Sequence, residues 1–257
     1  MGAISFSILR FCKHKPLFYQ LRKLASDSVI ETCIKPEKES VSQLKTLKEL
    51  ELTPLEVASS WPENVDHELR CKAIEGMRVI PNFVSEQEEQ SLMIEVEPVL
   101  KRMRYEFDHW DGAIEGFRET ERGSWTELNE HVIARMKSEA CVPMGTKWLK
   151  HIHVLDLAPA GHIRPHVDAV RFCGETIVGL CLLSSAVMRL THTKNPSYVI
   201  NALLPQRGLY IMRGVSRYEF EHEVLSMKDS YFCNVAVPRK RRVALIARTE
   251  PLKEHTL

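Results

Sequence analysis

Two hydrophobic periodicities divide the chain near residue 150. Before it, apolar residues recur at helical spacing: Leu92, Met93, Val96, Leu100 and Met103 predict an amphipathic helix over 86–103. Ser85 followed by Glu88 forms a capping box at its start, and Pro98 offers a kink. Trp125, Leu128, Val132 and Met136 predict a second helix over 125–139, entered through Ser124 and Glu127 as another capping box. Its apolar stripe reads as core packing. Between the two lies RYEFDHWDGAIEGFRETERG, dense in aromatics and charge. Tyr105, Phe107, Trp110, Phe117 and Arg118 in that segment are candidates to line a substrate approach, a packed surface segment being the other reading.

After Lys150 the period changes to that of strands. KHIHVLDLA, HIRPHVD, TIVGLCLLS, VMRLTHT, YVINALL, GLYIMRG, SRYEFEHEV and RRVALIAR are short β-type segments separated by Pro, Gly, Ser or Asn. No helical pattern separates them, which argues against a parallel α/β sheet. The expected fold class is mostly β with flanking helices: a double-stranded β-helix, or jelly roll, over 150–249 within a domain spanning 76–250. Strands from both sheets of such a fold converge on one pocket, and the helices buttress one sheet.

The N-terminal third carries neither period strongly. Residues 1–26 hold Arg10, Lys13, Lys15, Arg22 and Lys23, with no acid before Asp27 and apolar residues among the bases. That composition is the mark of a mitochondrial transit peptide, against a merely basic tail. Residues 27–75 are charged and broken by Pro36, Pro54 and Pro62, so they are expected as a linker with local helix across VSQLKTLKELEL; 251–257 is expected as a tail. No apolar run reaches the eighteen or so residues of a membrane-spanning helix. A formal charge of +1 creates no strong field, and nucleic acid is neither implied nor excluded. Seven scattered cysteines, never spaced C-x-x-C, argue against a disulfide framework or a cysteine zinc site and for reduced thiols inside a cell.

The chemistry gathers in GHIRPHVDAV and EFEHEV. His166 and Asp168 are two residues apart and so share one face of an extended chain, and a later strand brings His222. Two imidazoles and a carboxylate on one face of an ion leave positions open, the arrangement of non-haem Fe(II) oxygenases. Such an iron uses dioxygen and needs a two-electron co-substrate, of which 2-oxoglutarate is the commonest. Arg242 and Arg248 sit six apart in RVALIAR, an even spacing that puts both guanidinium groups on one face to meet its carboxylates, and Tyr210 adds a phenolic hydrogen bond. RKRR at 239–242 has a second reading as a basic nucleic-acid patch in which three of the four side chains face solvent. His151 and His153 lack a following glutamate at short spacing and are expected to pack or to support other groups rather than ligate.

PHVD, FEHEV, RVALIAR and the opening VIPNFVSEQEEQSL resemble the AlkB-homologue branch of Fe(II)/2-oxoglutarate dioxygenases. YEFDHWDGAIEGFRETER, HIHVLDLAPAGHIRPHVD, VMRL and LYIMRG are similar to a mitochondrial member of that branch, and the likeness runs over about residues 79–248. The resemblance implies a double-stranded β-helix, iron on His166, Asp168 and His222, and 2-oxoglutarate on Tyr210, Arg242 and Arg248. It further implies a mitochondrial matrix address and links to regulated necrosis after alkylation damage and to fatty-acid metabolism. One departure stands out: LDLAPAG replaces the Asn-x-Tyr of the nucleic-acid demethylases. The segment between Phe107 and His151 is also short for the two hairpins of their nucleotide-recognition lid, so duplex DNA is an unlikely substrate. The expected activity is hydroxylation of a protein or peptide side chain. The alternatives are N-demethylation of mitochondrial RNA, tracked by Arg164, Arg171, Arg239 and Lys240, and an iron- and 2-oxoglutarate-sensing regulatory protein.

Overall fold

The computed structural model describes residues 46–107, 109 and 112–252. The basic leader, Trp110 and the end of the tail lie outside the described residues. In chain order the elements are α1 (Leu47–Leu50), β1 (Leu55–Val57), α2 (His67–Gly76), β2 (Met77–Ile80), α3 (Glu86–Leu100), β3 (Ile114–Arg122) and α4 (Glu127–Glu139). There follow β4 (Ile152–His166), β5 (Thr176–Leu182), β6 (Ala186–His192), β7 (Val199–Leu204), β8 (Leu209–Arg213), α5 (Val215–Tyr218), β9 (Phe220–Val224), β10 (Tyr231–Phe232), β11 (Val235–Ala236) and β12 (Arg242–Arg248).

The principal sheet runs β1-β7-β6-β9-β4-β12-β5-β8-β2, with β3 on β4 and every pair antiparallel; β10 and β11 make a separate ribbon. It is nearly closed into a barrel, the jelly roll expected from the strand pattern. β4 makes the turn possible because it changes partner along its length. His153 to Leu157 pair with β12, whereas Ile163 and His166 pair with β9. Between them lies a bulge: Glu115 faces His162 and Phe117 faces Leu157, so residues 158–161 are accommodated opposite Gly116 alone. Gly116 takes a φ of +64°, and a Cβ on Gly161 would collide with its carbonyl oxygen. The two segments KHIHVLDLA and HIRPHVD are therefore one bent strand, with LAPAG at the bend.

Alternation along β12 shows why both faces are apolar. Val243, Leu245 and Ala247 pack with Leu92, Val96, Leu100, Val132, Ile133 and Met136 of α3 and α4. Ala244 and Ile246 face the opposite core, with Leu155, Leu157, Ile177, Met188 and Phe220. The helices thus cover one sheet face and leave the other to line the pocket. α3 starts with the expected capping box, Ser85 and Glu88 each bonding the other's backbone, but it ends at Leu100 rather than 103. α4 starts at Glu127, two residues late, and the Ser124–Glu127 box does not form. Instead the Thr126 backbone N–H and hydroxyl each donate to Glu95 at 3.0 Å, so a carboxylate on α3 satisfies this helix entry.

The linker expected over 27–75 is corrected for its described part. β1 pairs with β7, Leu55 opposite Ala202. Trp61, 2% exposed, stacks on Tyr198 with ring centroids 4.5 Å apart, and the Tyr198 hydroxyl donates to Asp66 at 2.5 Å. These partners are more than 130 residues away, so the local charge and prolines concealed a segment that belongs to the domain. SRYEFEHEV is corrected too: Ser216 to Tyr218 form the short turn of helix α5, and the strand begins at Phe220.

Candidate metal centre and co-substrate pocket

His166 ends β4 directly opposite His222 on β9, with ring centroids 4.3 Å apart, and Asp168 follows just beyond the strand end. His166 Nε2 lies 3.2 Å from Asp168 Oδ1, and His222 Nε2 lies 3.9 Å from the same oxygen. One ligand atom from each side chain falls within 4.8 Å of the others. His166 Nδ1 is 2.9 Å from the Arg164 carbonyl, which only accepts, so Nδ1 carries a hydrogen and Nε2 is the atom left to face Asp168. At that separation from a carboxylate oxygen, Nε2 holds either a proton or a metal cation shared with Asp168. Burial, then the neighbouring His166, lowers the His222 pKa to about 3, leaving that imidazole neutral. Burial works to raise the Asp168 carboxyl, but the hydrogen bond from His166 and the nearby Arg248 charge outweigh it and hold it well below the usual carboxylate range. A carboxylate and a neutral imidazole are the protonation states a divalent cation requires.

The pocket beside these three is lined by Tyr210, Arg242 and Arg248 together with Ile114, Leu155, Ile163, Ile177, Met188, Val224 and Ile246. Arg242 is 1% exposed; its Nη2 lies 3.3 Å from Cys181 Sγ, and its Nε has no hydrogen-bond partner among the described residues. A buried guanidinium with only a thiol for company is costly, and its planar fork fits a carboxylate guest. Burial pushes the Tyr210 phenol up to about 12, so it is a donor at neutral pH. The two arginines share a face of β12 and both line this pocket. Arg242 neighbours Tyr210, whereas Arg248 Nε reaches to 3.4 Å from Asp168 Oδ2.

Two residues absent from the sequence reading complete this wall. Gly179 on β5 faces Tyr210 on β8, and an added Cβ there would stand 2.5 Å from the phenol oxygen. Cys181 supplies the sulfur beside Arg242. A glycine inside the apolar run TIVGLC is itself a sign of close approach, and it is the signal that points to Gly179.

The proposed substrate approach is corrected. The Tyr105 hydroxyl donates to Asp156 Oδ1 at 3.1 Å, and Arg118 Nε donates to Asp156 Oδ2 at 2.7 Å while its guanidinium stacks over the Tyr105 ring. Arg241 joins Asp156 and Glu97, each at 2.7 Å. Asp156 is wholly buried on the helix-facing side of β4, alternating with the pocket-facing Leu155 and Leu157, so Tyr105 and Arg118 are held in a structural ion network away from the pocket. Phe117 is 2% exposed core, and Trp110 lies outside the described residues. Phe107 is exposed and is absent from the described lining of the pocket. The solvent-facing reading of RKRR is corrected as well. Arg239 is buried and spans the Leu225 and Gly161 carbonyls at 2.5 and 3.0 Å, Arg241 and Arg242 are engaged as above, and only Lys240 is exposed.

No family model matches the chain. It is 49% identical over 173 residues to the alpha-ketoglutarate-dependent dioxygenase alkB homolog 7, mitochondrial, of Bos taurus, covering 67% of this chain and 78% of that protein. To the protein of the same name in Mus musculus it is 45% identical over 192 residues, 75% of this chain and 86% of that one. Among solved structures it superposes on OsALKBH1 with a TM-score of 0.52 at 14% identity, covering 67% of this chain and 97% of the other. It superposes on a Pseudomonas putida prolyl-4-hydroxylase with a TM-score of 0.51 at 13% identity, covering 72% and 99%. These two likenesses bear on the fold alone. The identity and coverage shared with the bovine and murine proteins establish that the chain belongs to the alkB homolog 7 family of alpha-ketoglutarate-dependent dioxygenases.

Proposed function

We propose that this alpha-ketoglutarate-dependent dioxygenase hydroxylates a protein or peptide side chain in the mitochondrial matrix. Its family uses Fe(II), 2-oxoglutarate and dioxygen. In this reading His166, Asp168 and His222 hold the iron. Arg242 and Tyr210 bind the remote carboxylate of 2-oxoglutarate, and Arg248 braces Asp168 beside the metal. The unpartnered Arg242 Nε and the grouping of one ligand atom each from His166, Asp168 and His222 support that donor set. When bound, the iron and its co-substrate supply the oxidation, converting a substrate C–H to C–OH with dioxygen while 2-oxoglutarate leaves as succinate and carbon dioxide. The chain's own part is to orient the co-substrate and to keep water away with aliphatic side chains.

The observation that carries the choice of substrate is the lining itself. Beyond the histidines, the only ring among the described lining residues is Tyr210, at the co-substrate end; elsewhere stand Ile114, Ile163, Met188 and Val224. An extruded base is gripped by stacking between aromatic or apolar faces and by hydrogen bonds to its edge, and in this reading the polar groups of the described lining are engaged with the metal, its co-substrate or one another. An aliphatic side chain suits it better. RNA demethylation loses one of its basic residues, since Arg239 is buried against the Leu225 and Gly161 carbonyls. The basic composition of residues 1–26 supports the matrix address, and the relatives bear the word mitochondrial in their names. The links to regulated necrosis after alkylation damage and to fatty-acid metabolism belong to the same proposal. Mass spectrometry of matrix protein and RNA treated with wild type or His166→Ala tests it. Oxygen gained on a protein only with wild type is expected. Methyl loss from RNA alone would transfer the activity to RNA, and 2-oxoglutarate consumption without any product would favour the sensor.

A further inference from the structure

Glu119, His153 and Arg248 form a hydrogen-bonded chain that ends on Asp168. Three adjacent strands supply it: Glu119 from β3, His153 from β4 and Arg248 from the end of β12. His153 Nε2 lies 2.8 Å from Glu119 Oε2, and His109 Nε2 approaches the other oxygen at 3.4 Å. The opposite ring nitrogen, Nδ1, lies 3.1 Å from Arg248 Nη1, and Arg248 Nε lies 3.4 Å from Asp168 Oδ2. A guanidinium only donates, so His153 Nδ1 accepts. The proton therefore sits on Nε2 and is donated to Glu119. Both neighbours dictate the same tautomer, and the hydrogen bond from His153 holds the Glu119 carboxyl below its usual range.

The position of this chain gives it a task. His153, Ile246 and Arg248 line the metal pocket and also a second cavity, bounded besides by Glu121, Leu149, Lys150 and His151. Arg248 thus stands at a wall with space on either side, where a long side chain keeps one orientation only if something anchors it. Within hydrogen-bond reach, His153 supplies that anchor opposite Asp168.

We propose that His153, oriented by Glu119, is a positioning residue that keeps Arg248 turned toward Asp168 and so sets the affinity of the metal site for its anionic co-substrate. The inference rests on the roles given above to Asp168 and Arg248. It is tested by calorimetric titration of 2-oxoglutarate into the Mn(II)-loaded protein, with Mn(II) affinity and melting temperature measured alongside. His153→Asn keeps an acceptor near Nδ1 for Arg248. His153→Gln keeps a donor near Nε2 for Glu119 but offers Arg248 nothing, and His153→Leu removes both. Outer groups of a metal site are worth 10–100-fold, so His153→Leu and His153→Gln should weaken 2-oxoglutarate binding about tenfold, with His153→Asn within about threefold of wild type. Wild-type affinity in the Leu and Gln variants, or equal loss in Asn and Gln, overturns the proposal. Should the Leu variant fail to fold, the Asn and Gln pair decides alone. A wild type that binds neither Mn(II) nor 2-oxoglutarate overturns the site assignment and this inference together.

Discussion

Gly179→Ala probes the co-substrate wall at its tightest point. The new Cβ would stand 2.5 Å from the Tyr210 hydroxyl oxygen and closer still to ring carbons Cζ and Cε1. Favourable contacts between heavy atoms lie at about 3.5–4.0 Å, so the ring must recede by about 1 Å or more. Tyr210 is 5% exposed, so the ring can recede only against the core or into the pocket it lines. Overpacking of this kind costs about 1–3 kcal/mol, which for a domain of this size lowers the melting temperature by about 2–12 °C. On the role proposed for Tyr210, the displaced phenol also loses a hydrogen bond to 2-oxoglutarate, worth about 0.5–1.5 kcal/mol, or a two- to twelvefold rise in Kd. Calorimetry on Mn(II)-loaded protein and thermal melts read the two effects separately. Tyr210→Phe should weaken binding alone, because it removes the hydroxyl and leaves the packing. A Gly179→Ala variant that melts and binds like wild type would show that Tyr210 does not sit against Gly179.

Two other predictions concern the ion network behind the sheet. Asp156→Asn removes the charge that Arg118 and Arg241 share, and breaking such a buried pair costs about 3–5 kcal/mol. Urea unfolding should show that loss while Mn(II) affinity stays unchanged, since Asp156 faces the helices; a lost metal site with normal stability would contradict its placement. Glu97 is held below its usual value of 4.5 by the hydrogen bond from Arg241, against a smaller opposing effect of burial. A carboxyl depressed in the fold contributes stability above its unfolded pKa and loses it as pH falls through the folded one. The stability gap between wild type and Glu97→Gln should therefore be full at neutral pH and shrink below about pH 4.5, and a gap that widens on acidification would reverse the sign of that account.

What was legible in the sequence was legible because its signals are local. The two-residue step from His166 to Asp168 and the even step from Arg242 to Arg248 follow from strand geometry, and the structure brings all four to one pocket with His222 and Tyr210. The helix over 86–100 announced itself through Ser85 and Glu88. What escaped depends on partners far along the chain. Tyr105 and Arg118 look like exposed recognition residues until Asp156, a carboxylate in a strand-like run, is seen to claim both. β1 and Trp61 were hidden in the same way, because β7 and Tyr198 complete them. Gly179 and His153 matter only through the register that sets them against Tyr210 and near Glu119.

Turnover of 2-oxoglutarate under oxygen with added Fe(II), followed as succinate formed by wild type, His166→Ala and Arg242→Leu, reports on the metal ligands and the co-substrate arginine together. Wild type should release succinate only when iron is present, and His166→Ala should release none at any co-substrate concentration. Arg242→Leu should require about tenfold more 2-oxoglutarate or beyond, because it removes a charge-assisted pair worth about 1.5–3 kcal/mol. Succinate formed by His166→Ala at the wild-type rate, or an unchanged 2-oxoglutarate requirement in Arg242→Leu, would contradict the placement of the metal and its co-substrate.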